Sequence, residues 1–311
     1  MELSADNSNA LLASIDARTT LAGSNKMEIL LFSLGTNEIF GINVFKIREV
    51  TRTPPITKTP NMHAGVVGII SLRGNIIPVL NLASFLNIDK RGIIGETMMV
   101  TEYSRQTQGF LVESVDRIIR VDWEKMRSPE VMLTGNEGLI TSVTELEDGR
   151  LVSILDVEQI LVQAFGEVDI PGITPVQAEG ETLVFFADDS MVARKEIMQV
   201  LDGLGVKYFQ ANNGREAWEK LQGMAAQETD GALHDKLKLI LVDAEMPEMD
   251  GYVLTRNIKS DNRFSGIPVV MHSSLSSEAN RAMGKTVGVD DYVSKFNPSI
   301  LAETMRQYLE R

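Results

Sequence analysis

Between Leu183 and Leu309 the sequence alternates short apolar runs with segments of helical period, and few folds accommodate that alternation. The runs Leu183–Phe186, Tyr208–Ala211, Leu239–Val242, Ile267–Met271 and Asp291–Val293 have strand length. Helical segments follow each of them. After the first, Ser190 is placed to cap a helix whose buried face is Ala193, Ile197, Val200, Leu201 and Leu204, with Gly205 as its stop. The later helices are expected at Gly214–Gln222, Tyr252–Lys259, Ser276–Thr286 and Pro298–Leu309, the last with Asn297 as cap and Pro298 in its first turn. Five strand–helix units imply an α/β (βα)5 doubly wound parallel sheet covered on both faces. Gly223–Asp235 exceeds the usual connection length and is expected to be a surface loop.

In such a sheet ligands bind at the carboxyl ends of the strands. Asp188 and Asp189 end the first strand, Asp243 the third, Ser273 the fourth and Lys295 the fifth. Three carboxylates converging on one point repel unless a cation offsets them, and Mg²⁺ favours a few carboxylates completed by water and phosphate oxygens. A lysine and a hydroxyl supply a point charge and a donor for phosphoryl oxygens. Phosphoryl transfer needs little beyond positioning and charge neutralisation, and one of the carboxylates is the nucleophile. Each element alone is unremarkable, since paired acids after a strand are usually a turn or a helix cap. Their joint placement at the strand ends is what is specific.

Upstream the texture is β. Apolar runs at Glu28–Leu34, Gly65–Ile70, Ile76–Leu80, Met98–Val100, Gly109–Val112, Arg117–Val121 and Leu151–Leu155 are separated by Gly- and Asn-containing turns, which favours a barrel or sandwich. Val44, Ile47 and Val50 have helical spacing, and Val157–Phe165 has a helical apolar face. Leu11, Leu12 and Ile15 would suit a short amphipathic helix at the terminus. The stretch Gly166–Gly180 has two prolines, three glycines and no period, so it reads as a linker. The division is therefore an N-terminal extension at 1–26, a β domain at 27–166, a linker at 167–180 and an α/β domain at 181–311.

Composition removes other classes of function. The chain has no cysteine, so disulfides, thiolate catalysis and thiolate metal sites are excluded. Residues 1–166 and 181–311 each hold 20 acids and 15 bases, and the absence of a basic excess argues against nucleic-acid binding. His63, His234 and His272 lack ligand-spaced partners, and no GxGxxG opens a helix near Gly65 and Gly68. The first 26 residues lack the continuous apolar core of a signal peptide, and no apolar run reaches the ~18 residues of a membrane span. A cytoplasmic protein without direct membrane insertion is expected.

Residues 182–311 resemble a response-regulator receiver domain. Asp188-Asp189 matches the acidic pair, Asp243-Ala-Glu-Met-Pro-Glu-Met-Asp-Gly251 the phosphorylation loop, Ser273 the hydroxyl, and Asp291-Tyr292-Val-Ser-Lys295 the aromatic switch residue and lysine. The resemblance implies a strand order 2-1-3-4-5 and Asp243 as phosphoacceptor. It implies Mg²⁺ held by Asp189, Asp243 and the main-chain carbonyl of Glu245, with Asp188 acting through water. Ser273 and Lys295 would hold the phosphoryl group, and Tyr292 would turn inward when it arrives. Phe296 follows Lys295 where the family usually has proline.

Residues 27–166 resemble the CheW coupling domain of bacterial chemotaxis. Leu31–Asn43, Val44–Val50, Gly65–Leu82 and Gly109–Val115 carry the likeness, most specifically Leu72-Arg73-Gly74 followed by Ile77-Pro78. The resemblance implies two small five-stranded β-barrels and binding to chemoreceptors and to the histidine kinase CheA, with Ile47, Glu49, Gly68 and Arg73 at contact positions. The combination is similar to CheV-type coupling proteins. The sequence ends two residues after Leu309, so the output of the receiver is expected upstream. The expectation is an adaptor, not an enzyme, linking receptors to CheA in receptor arrays, with adaptation or a phosphate sink as its output. The rivals are an aspartyl-phosphate phosphohydrolase, which needs Asp-x-Asp on the first strand, and a purely structural coupling protein with a degenerate receiver.

Overall fold

The computed structural model describes residues 26–88, 95–103, 106–127, 138–166, 170, 172–177, 182–227, 232–274, 278–295 and 297–310. The terminal helix expected around Leu11–Ile15 and the residue Phe296 lie outside the described residues. The chain divides into two units, one containing Lys26–Glu167 and the other Val168–Arg311.

The N-terminal unit has strands β1 (Lys26–Ser33), β2 (Ile39–Asn43), β3 (Ile47–Arg52), β4 (Val66–Leu72), β5 (Asn75–Asn81), β6 (Thr97–Tyr103), β7 (Gln106–Val112), β8 (Ser114–Asp122), β9 (Ile140–Glu145) and β10 (Leu151–Leu155). Helix α1 (Leu82–Phe85) follows β5 and α2 (Val157–Phe165) follows β10. The strands form two five-stranded sheets, β8-β1-β2-β10-β9 and β3-β6-β7-β5-β4. Pairing is antiparallel except β2 with β10 and β5 with β7.

The sequence of β1 shows why two sheets share one core. Successive side chains of a strand point to opposite faces. Met27, Ile29 and Leu31 meet Trp123, Val152 and Ile154 on one face. Leu30 and Phe32 enter a larger cluster with Phe40 and Ile42, Leu80 and Phe85, Phe110, and Ile160 and Leu161 of α2. The second sheet does the same: Met98, Val100 and Leu111 pack with Ile70 and Val79, while Met99, Phe110 and Val112 face the shared cluster. Strands buried on both faces read as unbroken apolar runs.

Three sequence expectations change here. Val44–Val50 is not one helix: Val44–Lys46 forms a 3-10 turn and Ile47–Arg52 pairs with β6. The spacing of Val44, Ile47 and Val50 suits a helix, but β-branched residues beside an open partner strand are better placed in a sheet. The strands β2 and β9 were not anticipated, because Gly41 interrupts one run and Thr141, Ser142 and Thr144 make the other polar.

The C-terminal unit alternates β11 (Leu183–Ala187), α3 (Met191–Leu204), β12 (Lys207–Ala211), α4 (Gly214–Gln227), α5 (Ala232–Lys236), β13 (Leu237–Val242), α6 (Gly251–Ser260), β14 (Val269–Ser273), α7 (Glu278–Val287), β15 (Asp291–Ser294) and α8 (Pro298–Leu309). The sheet is parallel throughout, in the order β12-β11-β13-β14-β15. This is the expected 2-1-3-4-5 arrangement. Side chains alternate again: Phe185, Ile240 and Val242 pack beneath α4 and α6, while Val184, Phe186, Leu239 and Leu241 pack beneath α3 and α8. The caps are as expected. Ser190 accepts from the Ala193 amide at 3.3 Å, Asn297 from Ile300 at 3.1 Å, and Gly205 ends α3 in the left-handed conformation.

Gly223–Asp235 is not a loop throughout. The helix α4 continues to Gln227 because Met224 and Ala225 pack against the core, and buried Leu233 anchors the short α5. Within the expected linker, Ile170 and residues 172–177 lie on the C-terminal unit, where Ile170, Ile173 and Val176 pack against the α3–α8 core.

Phe110 is wholly buried in the cluster shared by both sheets. Phe110→Ala is expected to lower the stability of the N-terminal unit by about 3–5 kcal/mol, read as a shift of its denaturant midpoint. Ile76, 74% exposed, is the matched control. Its replacement by Ala is expected to change stability by no more than about 0.5 kcal/mol.

Candidate functional site

The parallel sheet delivers the chemistry to one edge. β11 ends one residue before Asp188, β13 one residue before Asp243, β15 one residue before Lys295, and Ser273 closes β14. Lateral backbone bonds fix these ends against one another. The Asp188 amide donates to the Ala211 carbonyl, the Asp243 amide to Ala187 at 2.9 Å, and the Lys295 amide to Ser273 at 3.1 Å.

One carboxylate oxygen each of Asp188, Asp189 and Asp243 lies within 4.8 Å of the others. The Lys295 ammonium sits between two of them, 2.9 Å from Asp188 Oδ2 and 2.8 Å from Asp243 Oδ2. Asp188, Asp243, Ser273 and Lys295 are all buried, at 0%, 3%, 0% and 5% exposure, and Asp189 is intermediate. Ionised, these groups carry two net negative charges in a site that water reaches poorly. Three oxygen donors of this kind fit a hard divalent cation such as Mg²⁺, and the charge balance favours one.

The Asp188 carboxylate also accepts from the Ser190 amide at 2.9 Å. Sequence reasoning passed over Arg194, whose Nη1 donates to the main-chain carbonyls of Asp188 at 2.9 Å and Asp189 at 3.0 Å. Its only signal was a base one turn into a helix that starts at the acidic pair.

Glu245 stands apart from the three-carboxylate cluster through its side chain, and its charge acts instead on the phenols of Tyr252 and Tyr292. Tyr292 is turned into the protein at 9% exposure, in a cluster with Ala244, Tyr252, Met271 and Val287. The Arg281 guanidinium lies 5.0 Å from the centre of its ring. Burial pushes the Tyr292 phenol up to about 12; a hydrogen bond with Ser273 opposes the shift, and negative charge on Asp243 and Glu245 adds to it. Tyr252, which sequence reasoning did not single out, is raised by burial and then by Tyr292 and Glu245.

The four positions named in the N-terminal unit separate into two kinds. Ile47 is 2% exposed in the shared core. Gly68 is buried with φ +150°, and a Cβ there would lie 2.3 Å from the Thr57 carbonyl oxygen, so glycine serves the close approach of that segment to β4. Glu49 and Arg73 instead meet at the surface as an ion pair, with the Arg73 side chain 79% exposed at the β4–β5 turn. Ile76, on the same hairpin, is the most exposed large apolar residue described. Among the described residues, Asp188, Asp189 and Asp243 form the one group of potential metal-ligating side chains, and the three histidines join none.

Comparison with known proteins agrees with both halves. Residues 28–165 match the CheW-like domain family, and residues 184–306 the response regulator receiver domain family. The chain is 30% identical over 325 residues to the chemotaxis protein CheV1 of Helicobacter pylori, covering 96% of this chain and 98% of that protein. It is 32% identical to CheV3 of the same organism, covering 88% and 89%. The crystal structure of the scaffolding protein TtCheW from Thermoanaerobacter tengcongensis aligns with a TM-score of 0.41 and 29% identity over 45% of this chain and 90% of that one.

Two outcomes test the electrostatics. Mg²⁺ at about 100 times its dissociation constant is expected to stabilise the C-terminal unit by about 2.7 kcal/mol. Asp189→Asn should lose most of that gain, as read by denaturant titration with and without the ion. For Tyr292 the folded value of about 12 exceeds the free value of 10.0. Stability contributed by its neutral form is therefore intact below pH ~10 and lost as pH rises through ~12, up to about 2.7 kcal/mol. Tyr292→Phe should remove that alkaline loss in unfolding curves taken across this range.

Proposed function

The chain belongs to the family of the CheV chemotaxis proteins, a CheW-like domain joined to a receiver domain, and on that premise we propose that it is an adaptor regulated by phosphorylation of Asp243. The observation that carries this reading is the convergence of Asp188, Asp189, Asp243 and Lys295 at the carboxyl ends of β11, β13 and β15. It supplies a carboxylate nucleophile, further oxygen donors for a divalent cation and a lysine for a phosphoryl oxygen. The N-terminal unit would bind the histidine kinase CheA and chemoreceptors in cytoplasmic arrays, with Glu49 and Arg73 as the surface elements of that contact.

Asp189, Asp243 and the main-chain carbonyl of Glu245 would hold Mg²⁺, with Asp188 acting through water. Bound there, the ion would offset the charge of the carboxylates and of the incoming phosphoryl oxygens. An Asp243 oxygen attacks the phosphorus of a phosphohistidine. The new O–P bond forms as the N–P bond breaks, and the freed imidazole nitrogen takes a proton from solvent. Lys295, now 2.8 Å from Asp243 Oδ2, is placed to hold a phosphoryl oxygen, and the Ser273 hydroxyl to donate to another. In this reading the chain promotes only the gain and loss of its own phosphoryl group and turns over no external substrate.

Purified CheA phosphorylated on histidine, or acetyl phosphate with Mg²⁺, is the decisive donor. Wild type is expected to take up one phosphoryl group, and Asp243→Asn none. Lys295→Ala is expected to slow uptake by about 10²–10³-fold, as for other charge-stabilising groups. Equal absence of uptake in wild type and Asp243→Asn would falsify the switch. Turnover of a phosphomonoester would point to a hydrolase instead.

A further inference from the structure

Both helices of one receiver face start at the phosphorylation site. Ser190, the cap of α3, follows the acidic pair directly, and α8 begins three residues after Lys295. They lie on the same face of the sheet, with Ile197, Val200 and Leu201 of α3 and Leu301 and Met305 of α8 in one core. Fourteen residues carry α3 about 21 Å from the site.

At the far ends of these helices the chain's own interdomain segment is seated. Ile170, Ile173 and Val176 pack against the α3–α8 core. The Val176 amide donates to the Leu204 carbonyl, the last of α3, at 3.0 Å. From α8, Arg306 donates to the carbonyl of Thr174 and, at 3.4 Å, to that of Pro175. Glu310 holds the same guanidinium from one turn further on, at 3.1 Å. Gly203 makes room: a Cβ there would stand 2.9 Å from the Cβ of Ile173. A solvated Pro/Gly linker would make none of these bonds.

We propose that the α3–α8 face of the receiver is the docking site of Ile170 and residues 172–177, and that phosphorylation of Asp243 tightens this docking through the two helices that start at the site. The second half rests on the switch reading above; the first does not. A partner competing for this face would have to displace the segment. The sign is part of the proposal. The docked segment accompanies a buried Tyr292 and a Lys295 held close to Asp243. A phosphoryl group that engages Ser273 and Lys295 would favour that arrangement over others.

The Val176 amide is the probe, since its partner is the last residue of α3. Hydrogen exchange of the full chain is followed with Mg²⁺, with and without acetyl phosphate, alongside intact mass to count phosphoryl groups. In wild type this amide is expected to exchange at least about tenfold more slowly than in Arg306→Ala. It should slow several-fold further on phosphorylation, with no further change in Asp243→Asn. Circular dichroism checks that Arg306→Ala is folded. Equal exchange in wild type and folded Arg306→Ala, at the rate of an open chain, overturns the docking. Uptake of the phosphoryl group with no added protection overturns the link. No uptake at all sinks the switch reading and the link together, while the docking is still judged by the Arg306→Ala comparison.

Discussion

An ammonium at 5% exposure wedged between two buried carboxylates is the interaction on which the C-terminal unit depends. Neither charge is tolerable there alone. Removing one partner of a buried pair typically costs about 3–5 kcal/mol, because the other is left without compensation. The sheet must therefore bring β11, β13 and β15 to the same level: the Asp243 amide ties β13 to β11, and the Lys295 amide ties β15 to β14, which pairs with β13. The third carboxylate, Asp189, makes the balance negative. In the proposed switch, an excess that is unfavourable for folding would become the means of attracting a cation and, through it, a phosphoryl group. The site is thus a fold constraint and a chemical device in the same atoms.

A polar residue at the end of an apolar run survives any shift of strand boundary by a residue, which is why Asp188, Asp189, Asp243, Ser273 and Lys295 are legible in the sequence alone. The pairs were less legible. Glu49 and Arg73 are 24 residues apart, and nothing local says that the β4–β5 turn returns to the flank of β3. Tyr252 reads as one apolar position on an amphipathic helix until β15 sets Tyr292 beside it. Ile47 fitted a helical spacing as well as a strand, and pairing with β6 decided the matter. In each case the missing information was a long-range neighbour, which residue type and spacing do not carry.

The N-terminal unit spends its apolar residues differently. Alternate side chains of β1, β6 and β7 serve the interior of one sheet and the cluster common to both, and among the described residues of this unit the exposed large apolar ones are Met62, Ile76, Leu151 and Phe165. That economy sharpens the reading of contact positions. Ile47 and Gly68 are committed to packing, and a substitution at either acts on the fold before it acts on a partner. Arg73 and Ile76 are free of that confusion, since the hairpin that bears them is exposed and their loss leaves the core intact. Binding energy at such hairpins is expected to concentrate in a few well-placed side chains.

At the described residues 170 and 172–177 composition anticipated the absence of helix and strand, and it could not recognise packing. Proline and glycine break periodic structure for backbone reasons, yet a chain without period can still lie against a surface that suits it. Here the surface carries its half of the fit: Gly203 leaves space for Ile173, and Arg306 reaches two carbonyls that no strand or helix satisfies. Such a segment gives up conformational entropy on docking, so its hold is small in net terms and sensitive to modest changes in the helices beneath it. Under the proposed switch, a linker that ignored the receiver would itself carry nothing from the phosphoryl group. One fixed immovably would carry no signal either. A weakly docked segment, gripped by helices that begin at Met191 and Pro298, lies between these limits.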